Sequence, residues 1–202
     1  MRLRSHAVRS ALAVAAATGL CAASTAPALA APPTPKSKRI VAVVSIGGVK
    51  LGQSYATAVR TWGPGSTCAL EDQTYRDTHA GAELDRSDFT GICSWRVDET
   101  DPAAGSGSLV FERGKVNEAS LRCGQDAATS EPNGRGPIGR FKLTKGKTKI
   151  GCGSTISKLV KTFPKAEPTP SGVGLFQKDR MLSFGGSAGE VAGIALLYAK
   201  NY

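Results

Sequence analysis

"GVKLGQSYATAVRTWG" runs from Gly48 to Gly63, and "KIGCGSTISKLVKTFP" runs from Lys149 to Pro164. The two stretches align without a gap at an offset of 101 residues. Gly52 matches Gly153, Val49 matches Ile150, and Ser54 matches Thr155. Ser and Thr open helices because the hydroxyl accepts from an exposed amide of the first turn. Tyr55, Val59 and Trp62 then fall at i, i+4 and i+7, which is one helical face. Ile156, Val160 and Phe163 repeat that spacing. Gly63-Pro64 stops the first helix and Pro164 the second. Helices this short are marginal alone in water, so each needs a sheet against which to bury its apolar face.

The flanking sequence supplies the strands. "IVAVV" (40–44) is β-branched and ends at Gly47-Gly48, and its Ile40 and Ala42 align with Phe141 and Leu143. Downstream of the first helix, residues 92–97, 108–112 and 116–121 read as antiparallel strands, with a tight hairpin at Arg113-Gly114-Lys115. Residues 172–177, 180–184 and 191–198 fill the same slots in the second copy, with a turn at Lys178-Asp179. Phe111 then corresponds to Phe184, Val116 to Val191 and Leu121 to Leu196. The expected fold is α+β, in two tandem units, each a short helix packed on a small antiparallel sheet. The units span 40–123 and 140–202, and the polar, glycine-rich stretch 124–139 is the linker.

The first thirty residues stand apart. Arg2, Arg4 and Arg9 precede an apolar run, and Ala28-Leu29-Ala30 supplies a cleavage site, so 1–30 is expected to be a signal peptide. Residues 31–39, "APPTPKSKR", form a basic, proline-rich leader expected to be disordered. The mature chain has no other segment able to cross a bilayer, and it is expected to be secreted, extracellular or associated with the cell envelope. Residues 40–122 hold 8 bases and 11 acids, whereas residues 123–202 hold 12 bases and 5 acids. A basic half on an exported chain suits solubility or an anionic surface, and export argues against nucleic acid as a partner. Cys68, Cys93, Cys123 and Cys152 remain, which implies two disulfides in one of three connectivities. Closing Cys68 to Cys93 would stabilise the first unit by roughly 3.5 kcal/mol in the chain-entropy model. Closing Cys123 to Cys152 would tie the units together.

The recurring glycine, the Ser/Thr cap, the mid-helix valine and the terminal Gly63-Pro64 resemble the repeat of the β-lactamase inhibitory protein family. They are also similar to small envelope lipoproteins of the SmpA/OmlA type. In the inhibitor family, two tandem helix-plus-sheet units present a face that grips an enzyme, and a loop after the second cysteine carries an acidic residue into its active site. The resemblance implies a Cys68–Cys93 disulfide within the first unit. It also implies a protein partner engaged through the sheet faces and through the loop 98–107, with Asp98, Glu99 and Asp101 as its acidic residues.

The remaining patterns are weak as chemistry. "GKT" at 146–148 lacks the upstream glycine of a phosphate-binding loop, since Phe141 stands there. His79 is the one histidine of the mature chain, which gives little support to a Cys/His zinc site or to catalysis. No cofactor or metal is expected. Trp62 and Trp95 lie on apolar faces and are expected in the core. "GRFKLTKGKTK" (139–149) concentrates Arg140, Lys142, Lys145, Lys147 and Lys149, with bases and apolar residues alternating along a strand. The reading is a secreted, non-enzymatic, inhibitor-like binding protein. The alternatives are an envelope module binding anionic wall or membrane polymers through its basic half, and a hydrolase using His79.

Overall fold

The computed structural model describes residues 37–63, 67–70, 74–76, 89–96, 104–126 and 128–201. The expected signal peptide, most of the basic leader, His79 and the acidic residues Asp98, Glu99 and Asp101 lie outside the described residues. The strands are β1 (Arg39–Val41), β2 (Ser45–Ile46), β3 (Thr67–Leu70), β4 (Thr74–Arg76), β5 (Gly91–Arg96), β6 (Ser106–Glu112), β7 (Lys115–Arg122), β8 (Lys142–Lys145), β9 (Thr148–Ile150), β10 (Glu167–Thr169), β11 (Gly172–Gln177), β12 (Arg180–Ser187) and β13 (Glu190–Tyr198). The helices are α1 (Tyr55–Trp62) and α2 (Ile156–Thr162).

Alternation decides which face of each strand turns inward. Gly107, Leu109 and Phe111 are buried in β6, as are Val116, Ala119 and Leu121 in β7. The change from even to odd positions in β7 marks a bulge at Asn117, where Val110 pairs with Glu118 but Phe111 pairs with Val116. Nine antiparallel strands continue this pattern in the order β10-β11-β12-β13-β7-β6-β5-β3-β4. A smaller sheet, β2-β1-β8-β9, joins two hairpins through the parallel pair β1 and β8. Its Ile40, Ile46, Leu143 and Ile150 share one core with both helices and with the inward face of the large sheet. The protein is therefore mixed α+β, with the helices and the small sheet layered on one face of the large sheet.

The two halves do not keep separate sheets. β7 and β13 pair antiparallel from Arg122 opposite Gly193 to Glu118 opposite Leu197, and this fuses all the downstream strands. An unpaired central strand would leave a row of free amides and carbonyls.

Each helix is anchored to its hairpin in the same way. Gly52 N–H donates to Val116 O, Val116 N–H to Gln53 O, and Tyr55 N–H to Gly114 O, at 2.8, 2.9 and 2.8 Å. Gly153, Val191 and Ile156 N–H donate to Val191, Ser154 and Gly189 O, at 3.1, 2.9 and 2.9 Å. Arg113-Gly114 and Ala188-Gly189 both turn with positive φ, at 49° and 67° and at 52° and 81°. Two positive φ angles are what a two-residue hairpin loop demands. Counted from these turns, Phe111 corresponds to Gly186, not to Phe184 as sequence matching had it. Phe111 packs on Tyr55 with ring centroids 4.9 Å apart, and a Cβ placed on Gly186 would lie 3.7 Å from Ile156.

The second helix accordingly sits on a thinner core. Trp62 is fully buried, T-shaped against Trp95 at 5.3 Å, and its indole N–H donates to Ile46 O at 3.1 Å. Trp95 Nε1–H donates to Gly63 O at 3.0 Å, so both tryptophans are core residues with satisfied polar ends. In α2 the fully buried residue is Leu159, at the position of Ala58; Ile156 and Phe163 are half-buried. Val160 is 42% exposed, whereas Val59 is at 0%. Leucine at the Ala58 position brings that side of the helix inward and turns Val160 away. The caps also differ: Thr155 Oγ1 accepts from Lys158 N–H at 3.2 Å, but the Ser54 hydroxyl donates to Thr57 Oγ1.

Cys68 is bonded to Cys93 across β3 and β5, and Cys123 to Cys152 between the end of β7 and the approach to α2. Of three connectivities, this is the one that keeps each bridge between close neighbours. The stretch 124–139 is folded: Gly124 O accepts from Asn133 N–H, Asp126 caps a turn, and Ile138 is fully buried. The Gly139 backbone lies so close to Gly134 that an added Cβ would meet its carbonyl oxygen at 2.1 Å.

The unlike surroundings of the paired valines make a direct test. Val59→Ala should cost about 2 kcal/mol of stability, and Val160→Ala less than about 0.5 kcal/mol. Urea unfolding of the two variants measures both.

Candidate functional site

One face of the large sheet carries neither helix nor small sheet among the described residues. Its residues are those that alternate with the core positions Leu182, Phe184, Ile194, Leu196, Leu121 and Leu109. Register places Gly174, Ser183, Ala195, Ser120, Ser108 and Ser94 side by side across six strands. Every member is small, and Ser108 Oγ lies 2.8 Å from Ser120 Oγ. A parallel row on one side holds Phe176, Met181, Leu197, Glu118, Val110 and Ile92. Phe176 and Ile92, at its two ends, are 41% and 45% exposed. The row on the other side holds Gly172, Gly185, Gly193, Arg122 and Ser106.

Small side chains in two adjacent rows leave a hollow of about 240 Å³. Serines 108, 120, 171 and 183 line it with Arg122, and Gly185 and Gly193 form part of its floor. Arg122 is exposed and has no carboxylate within bonding distance among the described residues. β5 ends at Arg96 and β6 begins at Ser106, and Ser106 pairs with Arg122. Asp98, Glu99 and Asp101, which fall between these two strands in the sequence, lie outside the described residues. These small residues were not singled out from the sequence. Serines in strands are unremarkable singly, and only the register shows that they abut.

The expected basic cluster is divided by the strand alternation. Arg39 lies beside Lys142, and Thr144 beside Lys149, on the outward face of the small sheet. Arg140 and Lys147 are exposed at the ends of this hairpin. Lys145 points the other way: its ammonium donates to Thr162 O at 2.8 Å, at the end of α2, and lies 5.3 Å from the Phe163 ring. Such a contact satisfies a helix C-terminal carbonyl. Burial, and then the charge of Lys158, hold the Lys142 ammonium below its ordinary pKa. Burial and Arg140 lower Lys38 likewise. Lys38, Arg39 and Lys158 thus join the predicted bases. "GKT" at 146–148 is the β8–β9 turn, with Gly146 at φ 58°.

Among the described residues no group of three or more His, Cys, Asp or Glu side chains is placed to hold a metal ion. Among them, too, no helix is long and apolar enough to cross a membrane.

The lowered Lys142 pKa fixes the sign of a pH effect. Between its folded value and 10.5, the ordinary lysine value, the native state binds fewer protons than the unfolded state. Stability from this group therefore rises with pH across that window. The gain in urea midpoint between pH 8 and pH 10 should be smaller in Lys142→Met than in the parent chain.

No protein-family model matches this chain, and neither a characterised protein nor a solved structure shows significant similarity to it.

Proposed function

We propose that this chain is a secreted, non-enzymatic binding protein that engages a protein partner through the helix-free face of its large sheet. The observation that carries the reading is the row of small residues from Gly174 to Ser94, bounded by exposed Phe176 and Ile92. Gly174 and Ser183 are buried, but Ala195, Ser120, Ser108 and Ser94 are partly exposed, so a partner can approach β13, β7, β6 and β5 closely, and exposed large apolar residues at a rim are interface anchors. The hollow beside Arg122 receives a protruding side chain of that partner. The loop 98–107 contributes Asp98, Glu99 and Asp101 at one end, as the resemblance to the β-lactamase inhibitory proteins implies. The two disulfides fit an oxidising, extracellular-type environment.

We further infer that the two halves descend from one unit. The repeated trio of helix-to-hairpin hydrogen bonds, the matching positive-φ turns and the bulges after Val116 and Val191 support this. Duplication with fusion at β7 and β13 doubles the width of the open face, which favours a partner the size of a folded protein.

Capture from culture medium and envelope fractions tests the reading when it is run with paired variants. Ser120→Trp fills the hollow, while Lys161→Glu changes an exposed residue on α2. A partner of this face should be retained by the parent chain and by Lys161→Glu, with at least tenfold weaker capture by Ser120→Trp. Equal capture by all three chains would overturn the proposal. Capture should also persist at high salt, because a packed interface is screened little.

A further inference from the structure

Charge is segregated between the two layers of the fold. Residues 37–63 and 138–163 build the small sheet and both helices, and they hold eleven Lys or Arg and no Asp or Glu. Every acid of the described residues lies elsewhere, on the large sheet, its turns or the loop 124–137. Within the acid-free layer Arg39 lies beside Lys142 across β1 and β8, and the Lys142 ammonium, held low first by burial, also feels the charge of Lys158. Arg140, Lys142, Lys149 and Lys158 have no carboxylate within 4 Å among the described residues. Crowded cations without counter-charges destabilise the folded state, and a bound anion removes that repulsion.

The layer also has a cleft of about 390 Å³, between the Gly47-Gly48 turn and α1. Arg60 and the hydroxyl residues Ser37, Thr57 and Thr61 line it. Of the aromatic rings of the layer, Tyr55, Trp62 and Phe141 are at most 1% exposed, and Phe163, half-buried, is covered by the Lys145 ammonium at 5.3 Å. A surface that docks on a bilayer presents aromatic anchors, and one that holds single-stranded nucleic acid presents rings for bases to stack on. Apart from the small aliphatic Val41 and Val160, this layer offers charge and hydroxyl groups instead.

We propose that the acid-free layer is a second binding surface, for a linear phosphate-bearing polymer that lacks bases and acyl chains. Its cations neutralise successive phosphates of the polymer along the outward face of β1, β8 and β9 and toward α2. This surface is on the opposite side of the fold from the open sheet face, so one molecule holds the polymer and the protein partner at once.

Titration of the mature chain with long-chain inorganic polyphosphate tests this, with calorimetry as the readout. Binding should weaken steeply with salt and should raise the thermal unfolding midpoint. The double variant Lys142→Gln/Lys158→Gln should bind at least tenfold more weakly and unfold no earlier than the parent without ligand. Arg140→Gln/Lys149→Gln provides the same comparison should the first pair fail to fold. Lys115→Gln/Lys178→Gln removes equal charge from turns of the large sheet and should bind like the parent. Equal weakening in that control would reduce the effect to net charge and overturn the site. Tripolyphosphate binding as tightly per mole as the long chain, or anionic vesicles binding where polyphosphate does not, would overturn it as well.

Discussion

The antiparallel pairing of β7 with β13 is the constraint on which the rest of the molecule depends. Each of these strands is the last of its half, and each would otherwise be an edge. Pairing them satisfies both rows of backbone groups and produces a sheet wide enough for two helices. It also fixes which side chains become neighbours on the opposite face. Ala195 meets Ser120 only because the seam is in this register, and a slip by one residue would turn core leucines outward.

Much of the fold was readable because its signals are local. Glycine and proline stops, the 3.6-residue period of both helices, and the hairpin at Arg113-Gly114 need no tertiary knowledge. The seam was not readable, because the alternation of β7 and β13 says that each has a buried face and says nothing about who lies beside it. The equivalence of Phe111 with Phe184 failed for a related reason. Matching aromatics ignored the bulges, and the register counted from the turns puts Gly186 in the aromatic's place. Val160 turned outward because Leu159, one position earlier, is the larger side chain on the side where the first helix has Ala58. The site was less readable still. Lys145 belongs to the end of α2, although composition alone groups it with Lys142 and Lys149.

The two faces of the chain differ in chemistry. The helix-covered side carries the charge, since most of its apolar residues are spent on the core and its outward positions, Val41 and Val160 apart, are mainly lysine, arginine and hydroxyl side chains. On the open side only the middle row is small throughout, and the three rows run from large and mostly apolar through serine to glycine and arginine. Secondary structure alone would give neither result. Both follow from period-two alternation acting on strands whose inward residues must be large.

The order of the cysteines along the chain has its own consequence. Cys68–Cys93 and Cys123–Cys152 close loops that follow one another without overlapping, with sequence separations of 25 and 29. Neither loop encloses an end of the other, so oxidation of one pair sets no topological obstacle to the other. The partners of each bridge are consecutive cysteines among these four, so pairing in order of sequence is the native connectivity.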